Sequence, residues 1–180
     1  EISVRDWSSD VCSSDLTMLP GARSVLPALG ALAGGGAAQA APAAPGERVV
    51  WPEVPLLDGG HFGAAQAADR AVVVVFWSTT CPFCRNHNRH VQKLHRAARG
   101  RALVVLGVAR ESDAAVVRAY ARAQGYEFPI TLHTRPLAEA LSTRNVIPLT
   151  AVVDRQGRLK QVLPGEMFEE DVMELLALAG

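Results

Sequence analysis

An uncharged β-branched run leads straight into a pair of cysteines, and few folds accommodate that. Ala71-Val72-Val73-Val74-Val75 carries no charge and no glycine, and Phe76-Trp77 extends it. A short apolar block of this kind reads as a strand buried on both faces, as in a parallel sheet covered by helices. Ser78-Thr79-Thr80-Cys81-Pro82-Phe83-Cys84 follows, and then Arg85 to Arg96 without glycine or proline, which predicts a helix. Thr79 and Thr80 are available as caps, and Pro82 suits the first turn, where its missing N–H would have no partner anyway. A Cys-x-x-Cys pair therefore stands where a buried strand ends and a helix begins.

That position sets the chemistry. A thiolate is the nucleophile in thiol exchange, and a helix N-terminus favours negative charge. Cys81 stands at the mouth of the helix, with Cys84 one turn further in. An i, i+3 pair shares one helical face and is close enough to form a disulfide. The reading that follows is that Cys81 attacks a disulfide in a partner and Cys84 resolves the mixed disulfide. The pair itself carries two electrons, so no cofactor is expected.

The rest of the chain supplies a frame of the same class. Val49-Val50-Trp51 and Val54-Pro55-Leu56-Leu57 read as short extended pieces before the turn Asp58-Gly59-Gly60. Ala102 to Ala109 reads as a second buried strand, which makes a right-handed parallel crossover with the first. Asp113 to Ala123 is an amphipathic helix with Val116, Val117 and Tyr120 inward, ended by Gly125. Phe128 to Leu132 is a short edge strand, and Pro136 to Ser142 a short helix. Leu149–Asp154 and Leu159–Leu163 form a hairpin around Gln156-Gly157, and Phe168 to Ala179 closes the chain as a helix with Val172, Leu175, Leu176 and Leu178 toward the sheet.

The segment Val74-Val75-Phe76-Trp77-Ser78-Thr79-Thr80-Cys81-Pro82-Phe83-Cys84-Arg85 resembles the active-site segment of thioredoxin-like proteins, specifically the TlpA/ResA-like periplasmic thiol:disulfide oxidoreductases. The resemblance runs from about Val54 to the C-terminus and includes Ile147-Pro148-Leu149-Thr150, Ala151-Val152-Val153-Asp154 and Arg155-Gln156-Gly157-Arg158. It implies an α/β thioredoxin-like fold, a central mixed sheet with helices on both faces and the group's insert at about 128–142. It implies that Ile147-Pro148 is a cis bond facing the disulfide, and that Ile147 offers its backbone to an extended partner segment. Trp77, Pro82 and Phe83 complete the expected substrate-contacting set. Two positions depart from the family pattern: Thr80 stands where tryptophan is common, and Pro82-Phe83 is not its commonest dipeptide. The resemblance further implies a protein thiol or disulfide as substrate, a membrane electron donor, a monomeric state, and a role in cytochrome c maturation or copper-site assembly.

Glu111 matches a glutamate of ResA-like sequences, at the strand end where α/β sites gather. Either it relays a proton to or from Cys84, or it caps the following helix. Cys81, Cys84, His87 and His90 resemble a zinc set in spacing alone. On one helix His90 lies about 13 Å along the axis from Cys81, whereas zinc ligands sit about 2.0–2.3 Å from the metal. No metal site is expected, and His87, His90 and His95 read as solvated or partly buried. A copper-binding metallochaperone on the same fold is the alternative from another class, with His133 as its candidate downstream ligand.

Redox poise follows from the dipeptide. Pro82 removes a backbone donor and Phe83 adds no side-chain donor, so the reduced pair gains little extra stabilisation. A potential nearer the about −270 mV of thioredoxin than the about −120 mV of a strong periplasmic oxidant is expected, which suits a reductase.

The 180 residues carry 18 basic and 18 acidic side chains, so nothing steers the chain toward nucleic acid. Residues 1–17 resemble translated sequencing-adapter DNA up to about Leu16 and are read as an artefact, leaving Cys12 without a role. Residues 18–40 read as a signal peptide, with Ala38-Gln39-Ala40 as the small-x-small cleavage site. Export to the periplasm is the expectation, with a retained membrane anchor as the alternative. Residues 41–48 then read as a linker and 49–180 as the thioredoxin-like domain.

Overall fold

Turn residues shape the start of the chain in the computed structural model, which describes residues 41–179. The expected artefact and signal peptide at 1–40 lie outside them. Strands β1 (Val54–Pro55) and β2 (His61–Phe62) pair antiparallel across Asp58-Gly59-Gly60. Gly59 takes φ +93°, a conformation that glycine adopts without a steric penalty. A single helical turn, α1 (Ala64–Ala67), leads into the valine run.

That run is strand β3 (Ala71–Trp77), buried at every position. Helix α2 (Pro82–Ala97) follows, then β4 (Leu103–Ala109), α3 (Ala114–Gln124), β5 (Ile130–Thr131), α4 (Thr134–Leu141), β6 (Leu149–Val153), β7 (Leu159–Pro164) and α5 (Glu169–Glu174). A 3₁₀ turn, Leu175–Ala179, replaces the end of the single C-terminal helix that the sequence predicts. The sheet order is β5-β4-β3-β6-β7. β5, β4 and β3 run parallel, and β6 and β7 are antiparallel additions. This is the expected mixed sheet, with β5 and α4 forming the expected insert.

Strand periodicity divides the core in two. Val73, Val75 and Trp77 pack with Val91 and Leu94 of α2, Val117 of α3 and Val172 of α5. Val72, Val74 and Phe76 pack on the other face with Leu137 and Leu141 of α4 and with Phe62. Pro136 is the third residue of α4, which begins two residues before the predicted start; a first-turn N–H has no helical partner, so proline costs little there. Val116, expected inward, is exposed, and Val117 takes the buried position on α3.

The stretch read as a linker is bonded to the domain. The Ala43 amide donates to the Ala140 carbonyl at 3.1 Å, Gly46 to Leu159 at 2.7 Å, and Leu159 to Glu47 at 2.9 Å, while Arg48 bridges Arg158. Its Ala/Pro composition suggested a tether, but its backbone extends the sheet beside β7.

Candidate active site

Cys81 caps α2, in the role expected of Thr79 or Thr80. Its backbone is extended (φ −89°, ψ 113°) and its Sγ accepts the Cys84 N–H at 3.2 Å. A side chain that accepts from the third residue inward is the ordinary N-cap arrangement, here made by sulfur. Both cysteines are free thiols; Cys81 is partly exposed and Cys84 buried. Burial pushes the Cys84 thiol up to about 12, and its hydrogen bond and charge interaction with Cys81 push the same way, against smaller opposing effects of the Ser78 backbone and Arg110.

Strand register explains what gathers around the pair. Phe76 is opposite Leu149 of β6 and Trp77 is opposite Ala109 of β4. The residues preceding β6 and those following β4 therefore emerge at the end of β3 from which the cysteine loop departs. Ile147-Pro148 is cis, as expected, with Ile147 half-buried and Pro148 buried. The Gly165 amide donates to the Pro148 carbonyl at 2.8 Å. Pro82 and Phe83 are exposed, Phe83 to 63%.

Glu111 holds the cysteine loop. Its Oε1 accepts from the Thr79 amide at 2.6 Å and from the Ser78 and Thr79 hydroxyls at 2.8 Å each. Burial acts to raise its carboxyl, but these donors outweigh it and hold the group below the usual carboxylate range. Its hydrogen bonds go to the loop and none goes to a cysteine. The following helix is capped by Asp113, whose carboxylate accepts the Ala115 amide at 2.7 Å, so the capping alternative for Glu111 is corrected.

Trp77 requires another correction. It is fully buried, so it offers no surface to a docked substrate. Its ring lies 5.8 Å from both Tyr120 and Tyr126, against Gly107, where a Cβ would come within 3.1 Å of the indole nitrogen. It shapes the core behind the site.

His87, read from the sequence as solvated or partly buried, is fully buried. The Met167 amide donates to its Nδ1 at 3.2 Å, so the proton belongs on Nε2, which lies 3.0 Å from Thr150 Oγ1. Burial, with the nearby His90 adding to it, lowers its titration to about 4. At neutral pH it is an uncharged staple joining α2, β6 and the segment before α5. The signal was present in the sequence: 84, 87, 88, 91 and 94 form one helical face. His95 is half-buried, His90 lies 3.4 Å from Glu169, and His133 is exposed at the start of α4. Sequence reasoning also missed Arg110, whose guanidinium reaches Asn145 and Val146, just before Ile147.

Comparison with known proteins agrees with this architecture. Residues 45–162 match the AhpC/TSA family. The thiol-disulfide oxidoreductase ResA of Geobacillus kaustophilus (strain HTA426) is 27% identical over 118 residues, 64% of this chain and 67% of that protein. The ResA of Halalkalibacterium halodurans is 25% identical over 123 residues, 68% of this chain and 69% of that protein. Among solved structures, a thioredoxin-family thiol:disulfide interchange protein from Chlorobium tepidum TLS superposes with a TM-score of 0.69 at 23% identity, covering 76% of this chain and 97% of that one. A DsbF homologue from Corynebacterium diphtheriae gives 0.66 at 20% identity, covering 73% and 86%. A thioredoxin-like sheet with a dithiol at the head of its first long helix, matched over most of its length, places this chain in the AhpC/TSA family.

Proposed function

We propose that this chain, a thiol:disulfide oxidoreductase of the ResA-like kind, reduces disulfides of other proteins outside the cytoplasm. The observation that carries the reading is the asymmetry of the pair: a partly exposed Cys81 whose sulfur accepts the Cys84 amide, beside a buried Cys84 held protonated.

Cys81 thiolate attacks one sulfur of a partner disulfide. A Cys81–partner disulfide forms, and the other partner sulfur leaves as thiolate and takes up a proton. Two of the influences that raise Cys84, its hydrogen bond to Cys81 and the Cys81 charge, end once Cys81 is in a disulfide. Cys84 then loses its proton more readily and attacks Cys81. The second partner thiolate leaves, and the Cys81–Cys84 disulfide holds the oxidising equivalent. The partner has gained two electrons and two protons. A membrane electron donor is the proposed source of the electrons that restore the dithiol.

Pro148 and Ile147 flank the reacting sulfurs in this reading, Pro82 and Phe83 form the exposed rim that meets the substrate, and Glu111 fixes the loop that carries Cys81. The extracytoplasmic setting and the role in cytochrome c or copper-site assembly rest on the kinship to ResA proteins. No helix among the described residues is long and apolar enough to cross a membrane.

Cys81→Ser is expected to abolish disulfide reduction, and Cys84→Ser to accumulate a partner-linked mixed disulfide on a non-reducing gel. Retention of full activity by the double serine variant would refute the assignment. Equilibration with glutathione should give a potential near the about −270 mV of thioredoxin; one as oxidising as about −140 mV would reverse the proposed direction.

A further inference from the structure

Two neighbouring side chains just after β4 hold two different segments at the end of β3 from which the cysteine loop departs. Glu111 takes the Ser78–Thr79 loop. Arg110 Nη1 donates to Asn145 Oδ1 at 2.8 Å and its Nη2 to the Val146 carbonyl at 3.1 Å. The Arg110 amide donates to the Trp77 carbonyl at 3.0 Å, so this side chain is mounted on the rigid β3–β4 pair. A planar guanidinium that binds two acceptors at once fixes both direction and distance, which a single ammonium does not.

The segment it holds has little else to fix it. Thr143 to Val146 are exposed, and a bond of 3.2 Å from the Arg144 amide to Ser142 Oγ is a local one. Ile147 comes next, and neither its amide nor its carbonyl has a hydrogen-bond partner among the described residues. The Val146 carbonyl is thus turned toward Arg110, while the Ile147 backbone is left without a partner at the end of β3 from which the cysteine loop departs.

We propose that Arg110 is a positioning residue: it holds Asn145–Val146 so that the Ile147 backbone is presented to an extended segment of a disulfide-bearing polypeptide. This rests on the disulfide-exchange reading of the cysteine pair. Arg110 makes no hydrogen bond to either cysteine; its charge acts on Cys84 only as the weakest of the influences there, and Arg110→Lys keeps that charge.

The test uses the full chain with Arg110→Ala, Arg110→Lys and Asn145→Ala, and insulin as the protein disulfide. KM for insulin is expected to rise about tenfold in Arg110→Ala, the equivalent of about 1.4 kcal/mol, with kcat changed less than about twofold. Arg110→Lys recovers part of the loss, since an ammonium reaches one acceptor, and Asn145→Ala reproduces part of it. The backbone amide order parameters of Val146 and Ile147, read by NMR relaxation, fall in Arg110→Ala whether or not substrate is present. Unchanged order parameters at these amides, or a fall in kcat at constant KM, overturn the proposal. A wild-type chain inert toward insulin would defeat the reading of the cysteine pair, and the order parameters would still decide whether Arg110 holds the loop.

Discussion

At the scale of single residues, His87 carries a pH signature. Its titration near 4 lies below the about 6.5 of an unfolded chain. Below about pH 6.5 the unfolded state therefore binds a proton that the native state refuses until about pH 4. The stability that His87 contributes is full above that window and is lost as pH falls through it, by an amount on the order of 3 kcal/mol. Urea melts between pH 7 and pH 4 should show wild type losing more stability than His87→Gln; parallel pH slopes would rule out the buried neutral imidazole. The stripe on α2 made the burial of His87 legible, but not its partners. These partners, Thr150 and Met167, are 63 and 80 residues away, and no local pattern announces them. Cys81 and Cys84 were legible because strand, turn and helix signals all lie within one stretch. Arg110 was not, because its acceptors, Asn145 and Val146, belong to a distant loop.

At the scale of elements, β3 and α2 follow from periodicity: unbroken burial in one, a 3.6-residue stripe in the other. What periodicity leaves open is how closely two elements approach. Gly107 on β4 is a case, since a Cβ there would lie 2.7 Å from the Phe128 ring as well as against Trp77. Gly107→Ala is expected to destabilise by about 1–3 kcal/mol, because overpacking forces ring and strand apart. Thermal melting with tryptophan fluorescence would show it; an unchanged midpoint would mean that the aromatic cluster yields freely. The buried Trp77 illustrates the same gap. Its place beside the cysteines suggested a substrate contact, but the alternation along β3 turns it into the core.

At the scale of the whole molecule, the stretch before Val49 was misread because composition describes the freedom of an isolated chain and is silent on available partners. Its backbone bonds to Ala140 and Leu159 predict that a chain beginning at Val49 melts below one beginning at Ala41. At about 1 kcal/mol for each lost bond the deficit is a few kcal/mol. Equal melting temperatures would return the stretch to the status of a tether. The same segment has a second effect. It runs along β7 at Leu159, and further on the Leu57 amide donates to the Ile130 carbonyl at 2.8 Å, on β5. β7 and β5 are the outermost strands of the sheet. An uncovered outer strand is a template for any extended chain that comes near it. A protein that takes extended polypeptide segments at the Ile147 backbone, as proposed above, needs to keep those segments from adding to its sheet. One continuous stretch near the start of the domain shields part of each border, so strand addition there is opposed by the same hydrogen bonds that hold that stretch in place.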